Sequence, residues 1–346
     1  MTAPSNICIA GIGAIGGTLA ACLTRGGASV SLIARGETLS RLRTHGLTVT
    51  EGDTTFTCHP AAAERAPGPM DVLFLAVKSH QLSDLLPAVL PAVGPDTLIV
   101  PIINGIPWWM TADDAPPAFR TLAPLLDPTG QLAAHLPARQ IAGCVAYAFC
   151  AIEAPGQIRS LRPMRLVLGR SAPDTSDTSD TSDTPDAPGP TRDRLTHLAG
   201  LLNACGIDAH VTDAIHAEIW TKLATNVASN PLSVITGATL EAMATDPATR
   251  AIIRASLDEA IATGAACGIS TLKPAEALCA MMAAAGPHET SMLQDFRAGR
   301  TLETVAIGDA LVALARALAV PTPIIDTLLG LVAFQRRSLA GKEQAS

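Results

Sequence analysis

Aromatic side chains are scarce in this chain of 346 residues, where they make up 3% and include a single tyrosine. Proteins that hold single-stranded nucleic acid without sequence preference stack the bases on aromatic rings, so this composition argues against that class. Positive charge is also in deficit, because 24 lysines and arginines are outnumbered by 31 aspartates and glutamates. The resulting net charge of −7 gives no indication of a basic surface that would bind a phosphate backbone.

Long apolar runs and paired cysteines are missing as well. No uninterrupted run approaches the ~20 residues of a membrane-spanning helix, and the first residues show no secretory signal. The eight cysteines form no Cys-x-x-Cys pair, and the eight histidines form no His-x-x-x-His pair. Scattered cysteines among apolar neighbours are typical of buried thiols in a reducing cytoplasm. We therefore expect a cytoplasmic protein that binds neither a metal nor a membrane.

The composition is sufficient for large apolar cores, since 48% of the residues are hydrophobic and only 16% are charged. A chain of this length is expected to form roughly two domains. Residues 1–212 contain both strand-type and helix-type patterns and are predicted to form an α/β domain. Residues 213–346 contain only helix-type patterns, which predict an all-α domain.

The first motif is a glycine-rich turn between a strand and a helix. Residues 6–10 form a short apolar run typical of a buried strand, and a helical pattern continues to the glycines at 26 and 27. The turn itself has the Gly-x-Gly-x-x-Gly spacing and is formed by Gly11, Ile12, Gly13, Ala14, Ile15 and Gly16. In this context the three glycines permit a tight turn, close approach of a pyrophosphate and close packing of helix on strand. We expect the phosphates of a dinucleotide at the N-terminus of the helix. Residues 1–212 are therefore predicted to form an α/β Rossmann-type dinucleotide-binding domain.

The end of the second predicted strand, residues 28–34, indicates which nucleotide is bound. An enzyme that uses NAD usually has an aspartate or glutamate there, which binds the ribose 2′-hydroxyl. This chain has Arg35 instead. A guanidinium can bind a 2′-phosphate bidentately, whereas a carboxylate would repel it. Arg35 therefore favours NADP(H) as the cofactor.

Polar residues also follow the next two predicted parallel strands, at 71–77 and 97–103. Lys78 follows the first strand and Asn104 follows the second. Ligands of open α/β sheets bind beyond the carboxyl ends of the strands, so we expect both side chains beside the nicotinamide end of the cofactor. A solvated lysine and a simple turn residue before Gly105 are the alternatives. Two of the three tryptophans, Trp108 and Trp109, come next and would either cap the domain or select the substrate.

The remainder of the first domain is predicted from shorter patterns. Residues 47–50 and 54–58 alternate like the two strands of a hairpin, and residues 141–149, 157–160 and 165–169 look like closing strands of the main sheet. Tandem Asp-Thr-Ser units at about 171–193 predict a disordered insertion, because this segment has almost no apolar residues with which to offset its ordering entropy. A helix at 195–205 and an edge strand at 206–211 complete the domain.

The second half contains only helix-period segments, and the first of these has an unusual polar stripe. Lys222, Asn226 and Asn230 are spaced four residues apart. Each step of four turns only about 40° around a helix, so the three side chains share one face. An ammonium can donate a proton, and carboxamides can bind the oxygens of a small molecule. The all-α domain at residues 213–346 is therefore predicted to bind the substrate and to carry the catalytic groups. A plain solvated face is the alternative interpretation.

Two further polar residues come later, at Ser291 and Glu303. Ser291 opens a predicted helix, so it is expected to be the N-cap and could still present its hydroxyl or amide to a carboxylate. Glu303 lies near the start of a long helix predicted at about 303–318. There it either complements the helix dipole or belongs to the site.

These motifs together resemble the ketopantoate reductase family over nearly the whole chain outside the 171–193 insertion. The resemblance rests on the glycine turn, Arg35, Val77-Lys78, Asn104-Gly105, the run from Trp220 to Asn226, Asn230-Pro231-Leu232, the run from Ser291 to Asp295, and Glu303.

The resemblance implies that NADPH delivers a hydride to the C2 ketone of ketopantoate, giving pantoate on the route to coenzyme A. It implies that Lys222 is the proton donor and that Glu303 lies by Lys222 and the cofactor, so that both act in catalysis. It also implies that Asn104, Asn226 and Asn230 hold substrate oxygens and that Ser291 holds the carboxylate.

Three alternatives stay open at the level of the sequence. The substrate could be another 2-keto acid, or the enzyme could be an NADP-dependent β-hydroxyacid or opine dehydrogenase. A non-catalytic NADP-binding regulator is the third. The sequence also leaves open whether the chain forms a homodimer.

Overall fold

The computed structural model describes residues 6–113, 115–171 and 191–343, so that the predicted disordered insertion lies almost entirely outside the described residues. The chain divides into two compact units. The first unit comprises Met1–Ile103 and Thr129–Ile215, and the second comprises Asn104–Pro128 and His216–Ser346.

A five-stranded parallel sheet forms the centre of the first unit, in the strand order β5-β2-β1-β6-β7. The strands are β1 (Asn6–Ala10), β2 (Ser29–Ile33), β5 (Ala61–Ala63), β6 (Val72–Leu75) and β7 (Leu98–Pro101). All residues of β6 and β7 are buried, as expected for parallel strands that are covered on both faces. Because the five strands are parallel, the loops that follow β1, β2, β6 and β7 lie at one edge of this sheet.

Four longer helices and one short helix accompany the strands of this unit. They are α1 (Ala14–Arg25), α2 (Gly36–His45), α3 (Leu82–Val89), the short α6 (Gln131–His135) and α7 (Arg192–Ala204). Helix α1 packs the fully buried side chains of Leu19, Ala20 and Leu23 into the core that β1 and β2 share. This packing places the start of α1 directly beyond the carboxyl end of β1.

Two smaller sheets complete the first unit. One has the order β4-β3-β10-β9 and the other has the order β12-β11-β8. Their strands are β3 (Leu47–Glu51), β4 (Thr54–Cys58), β8 (Ala142–Tyr147), β9 (Cys150–Ala154), β10 (Gln157–Ser160), β11 (Arg165–Arg170) and β12 (Asp208–Val211).

The predicted hairpin is present as the antiparallel pair β3 and β4, and the predicted edge strand is β12. The prediction that residues 141–149, 157–160 and 165–169 close the main sheet was only partly right, because Ile141 forms an isolated parallel bridge with Ile99 of β7 while the strands themselves belong to the two smaller sheets. Strand β10 pairs with β3 and β9, while β11 pairs with β8 and β12. Apolar alternation identifies a strand but does not specify its partner.

The second unit is helical, and its described residues contain no strand. Its helices are α4 (Pro117–Arg120), α5 (Ala123–Leu126), α8 (Ile215–Thr236, whose first residue belongs to the first unit), α9 (Leu240–Thr245), α10 (Pro247–Ala266), α11 (Ala275–Ala283), α12 (Ser291–Arg297), α13 (Ala310–Ala317) and α14 (Pro323–Glu343), with a π-helix at Val305–Asp309 before α13. The predicted fold class, an α/β Rossmann-type domain followed by an all-α domain, is thereby confirmed. No helix among the described residues combines the length and apolar character needed to cross a bilayer.

Helix α8 is anchored in the second unit by Trp220. This side chain is fully buried, its indole N–H donates to the Ala260 carbonyl at 2.9 Å, and its ring meets Phe119 edge to face. Leu223 and Val227 are buried in the same helix. These apolar contacts fix the rotation of α8 about its axis and so determine the direction in which the polar stripe points.

Candidate active site

The glycine turn has the local geometry of a phosphate-binding loop. Gly11 has φ +95°, a left-handed conformation that favours glycine. A Cβ on Gly16 would lie 2.0 Å from the Gly11 carbonyl oxygen, so glycine is needed there for helix α1 to approach the turn. A Cβ on Gly13 would meet nothing within 4 Å. The position at which the sequence predicts close approach of a pyrophosphate is therefore open space.

The first turn of α1 is chemically suited to an anion. Gly13 is the N-cap, so no side chain caps the first N–H groups, and the turn contains no acidic residue. The free N–H groups and the helix dipole both favour negative charge at this end. Ala14 and Ile15 belong to this turn, and Ile12 and Ile15 pack their side chains against the core below it. The residues present thus fit the diphosphate of a dinucleotide.

Arg35 lies two residues after β2 and is the N-cap residue of α2. Its side chain is exposed, and the described part of the chain offers its guanidinium no hydrogen-bond or ion-pair partner. The Gly11 N–H donates to the Ile33 carbonyl at 3.2 Å, which brings the start of the glycine turn beside the end of β2. A cation thus stands at the strand end where the adenosine ribose of a dinucleotide binds in this fold.

Lys78 follows β6 at the same edge of the sheet and is half-buried. Its backbone N–H donates to the Gln81 side chain at 3.2 Å, and its carbonyl accepts from the Gln81 N–H, which defines a tight turn. The Ala76 N–H donates to the Ala10 carbonyl at 2.8 Å, so the loops that follow β6 and β1 are adjacent. The structure therefore brings Lys78, Arg35 and the glycine turn to one edge of the sheet in the first unit.

The polar stripe of the second unit lies on α8, as predicted. Lys222 and Asn226 are half-buried, and Asn230 is only 3% exposed. The Nδ2 atom of Asn230 is buried and has no hydrogen-bond partner within the described residues. A buried donor that lacks a partner is uncommon and unfavourable, so this carboxamide, which has no acceptor among the described residues, is suited to donate to a ligand.

Asn104 and Glu303 meet in the second unit. The Asn104 Nδ2 donates to a Glu303 carboxylate oxygen at 3.3 Å, and Glu303 is 8% exposed. Asn104 is the first residue of this unit, and Glu303 lies two residues before the π-helix, which begins at Val305. The Asn104 amide thus donates to a nearly buried carboxylate, and a carboxamide also has an oxygen that can accept a hydrogen bond.

The π-helix explains how the loop that carries Asn104 is held. The Ile106 N–H donates to the Ala306 carbonyl at 2.9 Å, and a Cβ on Gly105 would lie 2.2 Å from that oxygen. Gly105 also has φ +87°. Single π-turns are often found at functional sites. Here, the π-turn presents a carbonyl against which the Asn104 loop closes.

Ser291 is exposed and is the first residue of α12, so the prediction that it caps this helix was wrong. The N-cap is Thr290, whose hydroxyl accepts from the Leu293 N–H at 3.2 Å. Serine and threonine are both favourable N-cap residues, so the sequence alone is compatible with either Thr290 or Ser291 as the cap. In the structure the buried residue Thr290 takes this position. As a result, the Ser291 hydroxyl is not used for capping.

The two neighbouring tryptophans, which were expected either to cap the domain or to select the substrate, are buried in the second unit. Trp108 is 3% exposed and Trp109 is 6% exposed. Trp109 meets the His216 ring edge to face at 5.8 Å. The Trp108 Nε1 is buried, and no acceptor for it lies among the residues described. Trp109 therefore packs against the start of α8, and Trp108 adds a second buried donor that has no partner among the described residues of this unit.

Cysteine does not contribute a nucleophile to either set of residues. All eight cysteines are free thiols. Burial raises the pKa of Cys8 to about 12 and the pKa of Cys267 to about 11, and it is also the largest cause of the rise to about 11 for Cys22. These thiols stay protonated at neutral pH and are poor nucleophiles.

Comparisons with known proteins extend over both units. The family model described as ketopantoate reductase PanE/ApbA matches residues 7–173, and its C-terminal counterpart matches residues 214–336. A 2-dehydropantoate 2-reductase of Mesorhizobium japonicum is 35% identical over 94% of this chain and 96% of its own length.

Solved structures are also similar over nearly the whole length of the chain. A protein of Ralstonia solanacearum MolK2 that was assigned as a ketopantoate reductase is 36% identical, with a TM-score of 0.83 over 96% of this chain and 98% of its own. D-mandelate dehydrogenase in complex with NADH and anilino(oxo)acetate has a TM-score of 0.79 at 21% identity, over 97% of this chain and 99% of its own. The likeness to the latter is one of fold alone.

Proposed function

The chain belongs to the ketopantoate reductase family, as its motifs predicted, and from this premise we propose that it reduces 2-dehydropantoate (ketopantoate) to pantoate with NADPH. The observation that carries the proposal is the 35% identity to a 2-dehydropantoate 2-reductase over 94% of the chain. The proposed activity places the protein in pantothenate biosynthesis.

In this proposal the first unit binds the nucleotide. Gly11, Gly13 and the first turn of α1 hold the diphosphate, and Arg35 binds the 2′-phosphate. Lys78 of the first unit is proposed to contact the nicotinamide end, and the same role is proposed for Asn104 and Glu303, which belong to the second unit. The open space at Gly13 and the exposed guanidinium of Arg35 support this assignment.

The helical unit supplies the groups for the keto acid. Reduction of a ketone requires a hydride on carbon and a proton on oxygen, and NADPH provides the hydride when it is bound. The Lys222 ammonium stabilises the negative charge that develops on the carbonyl oxygen and donates the proton to it. Asn226, Asn230 and Asn104 hold hydroxyl and carbonyl oxygens, and Ser291 binds the carboxylate.

The test is a substrate screen with purified protein. Ketopantoate and other 2-keto acids are incubated with NADPH, 3-hydroxy acids with NADP⁺, and keto acids plus amines with NADPH. We expect NADPH consumption with ketopantoate and a product with the mass of pantoate. Activity confined to the hydroxy acids or to the amine mixtures would assign the chain to another reaction. Nucleotide binding without any turnover would identify a regulator.

We also propose that the protein works in the cytoplasm. Its eight cysteines are free thiols, which are typical of a reducing compartment. Fractionation of the source cells with an antibody to the protein tests this assignment, and recovery in an oxidising compartment would contradict it.

A further inference from the structure

A buried pair of hydroxyl groups joins α8 to the start of α12. Ser233, on α8, is fully buried, and its Oγ lies 2.6 Å from the Oγ1 of Thr290. Thr290 is 6% exposed and is the N-cap of α12. The two residues are 57 positions apart in the chain, so the contact belongs to the tertiary structure.

The direction of the hydrogen bonds in this pair follows from counting protons. Each hydroxyl has one proton to donate. The Ser233 hydroxyl donates to the Asn230 carbonyl at 2.7 Å, so its oxygen must accept the proton of Thr290. Thr290 in turn accepts from the Leu293 N–H at 3.2 Å. A directed chain of hydrogen bonds therefore runs from the first turn of α12 to the backbone of Asn230.

Both ends of this chain of hydrogen bonds lead to proposed substrate groups. At one end, Asn230 has a buried amide donor that lacks a partner within the described residues. At the other end, Ser291 follows Thr290 directly and is exposed. A keto acid held by both residues requires a fixed distance between the two helices. Directional hydrogen bonds fix such a distance more tightly than apolar contact does.

We propose that Ser233 and Thr290 are positioning residues for the keto-acid site. Their hydroxyl pair sets the start of α12 at a fixed distance from Asn230, so that Asn230 and Ser291 can bind one substrate molecule together. The inference rests on the proposed function and deepens it. Neither hydroxyl is available to the substrate, because both residues are buried and both hydroxyl protons are donated within the protein.

The experiment compares Ser233→Ala and Thr290→Val with Thr290→Ser, which keeps the hydroxyl. In the first two variants we expect KM for ketopantoate to rise about tenfold, equivalent to the loss of one or two hydrogen bonds. We expect kcat to fall less than about threefold and the Kd for NADPH to stay unchanged. Thr290→Ser should remain within about twofold of the wild type in KM.

A matched control removes a threonine N-cap in the first unit. Thr191 caps α7 through the Arg194 N–H at 3.3 Å, and Thr191→Val should lower Tm without changing KM. If Thr290→Val does not fold, Ser233→Ala carries the test, because it keeps the Thr290 cap and loses only the two hydrogen bonds of the Ser233 hydroxyl, to Thr290 and to the Asn230 carbonyl.

The possible outcomes separate the two proposals. An active wild type with an unchanged KM in Ser233→Ala overturns the positioning role alone. The same holds if only the apparent kcat falls, in proportion to the unfolded fraction, while KM stays at the wild-type value. A wild type that turns over no keto acid removes the proposed function and, with it, this inference.

Discussion

The Asn104 carboxamide donates a hydrogen bond to the Glu303 carboxylate at 3.3 Å, although the two residues are 199 positions apart in the chain. One residue opens the second unit, and the other precedes its π-helix. The Gly105 turn packs against the Ala306 carbonyl next to this contact, so backbone and side-chain contacts hold the same junction. The contact between Asn104 and Glu303 is therefore part of the tertiary structure of the second unit.

Asn104→Asp should make this junction sensitive to pH. Two carboxylates would then lie close together, and their repulsion raises the pKa of the introduced carboxyl above its unfolded value of about 4. We expect the free energy of unfolding to be lower than in the wild type by about 1–3 kcal/mol at neutral pH. When the pKa of a carboxyl is higher in the folded than in the unfolded protein, the free energy of unfolding falls as the pH rises through that pKa. The difference in free energy of unfolding between Asn104→Asp and the wild type should therefore vanish below about pH 4.

The measurement for this variant is chemical unfolding at neutral and at acidic pH. Asn104→Ala is the matched control, since it removes the hydrogen bond without adding charge and should be destabilised to a similar extent at both pH values. If Asn104→Asp loses the same free energy at both pH values, the two side chains do not interact in solution.

Lys222→Ala should abolish most of the turnover while leaving the cofactor bound. A general acid typically contributes ~10²–10⁴-fold to the rate, and we expect kcat to fall within that range. The Kd for NADPH, measured by fluorescence titration, should change little. Lys273→Ala removes an exposed lysine of the same unit and serves as the control, with kcat unchanged. A loss of less than about tenfold in Lys222→Ala would mean that another group donates the proton.

The sequence predicted those parts of the site that depend on local spacing. The glycine turn and the Lys222, Asn226 and Asn230 stripe are set by the geometry of a single turn or helix, and both occur where they were expected. The predicted long helix at about 303–318 begins instead with a π-turn at Val305–Asp309. One additional residue in a turn leaves no clear mark on an apolar pattern of period 3.6.

The features that the sequence did not reveal depend on tertiary contacts. The cap of α12 shifted by one residue, because Thr290 is held by the buried hydroxyl of Ser233, which lies on a distant helix. The strand at 157–160 pairs with β3, although its pattern only indicated a strand. In both cases the residue types were compatible with more than one partner, and packing of the folded chain made the choice.

Arg35→Ala should weaken NADPH binding much more than NADH binding. A charge-assisted hydrogen bond contributes about 1.5–3 kcal/mol, which corresponds to roughly tenfold to hundredfold in Kd. NADH lacks the 2′-phosphate, so its Kd should change less than about threefold. Arg139→Ala is the control, because Arg139 is an exposed arginine that precedes β8 in the same unit. Equal losses for both nucleotides in Arg35→Ala would refute the role of Arg35 in selecting NADPH.

Gly13→Ala and Gly16→Ala should separate cofactor binding from folding. Gly13 has φ −84° and ψ −166°, which alanine tolerates, and its added Cβ would meet no protein atom within 4 Å. We therefore expect the free energy of unfolding of Gly13→Ala to stay within about 0.5 kcal/mol of the wild type, while the Kd for NADPH rises about tenfold or more. The added Cβ of Gly16→Ala would lie 2.0 Å from the Gly11 carbonyl oxygen, so this variant should lose at least about 1–3 kcal/mol.

The two variants are compared by thermal unfolding without cofactor and by NADPH titration. A Gly13→Ala protein that keeps both its stability and its affinity would show that the open space above Gly13 is not where the pyrophosphate binds. A Gly13→Ala protein that loses stability to the same extent as Gly16→Ala would instead show that the turn is constrained by the fold, since its Cβ would then have to meet protein atoms. Only the combination of intact stability and weakened binding assigns this space to the cofactor.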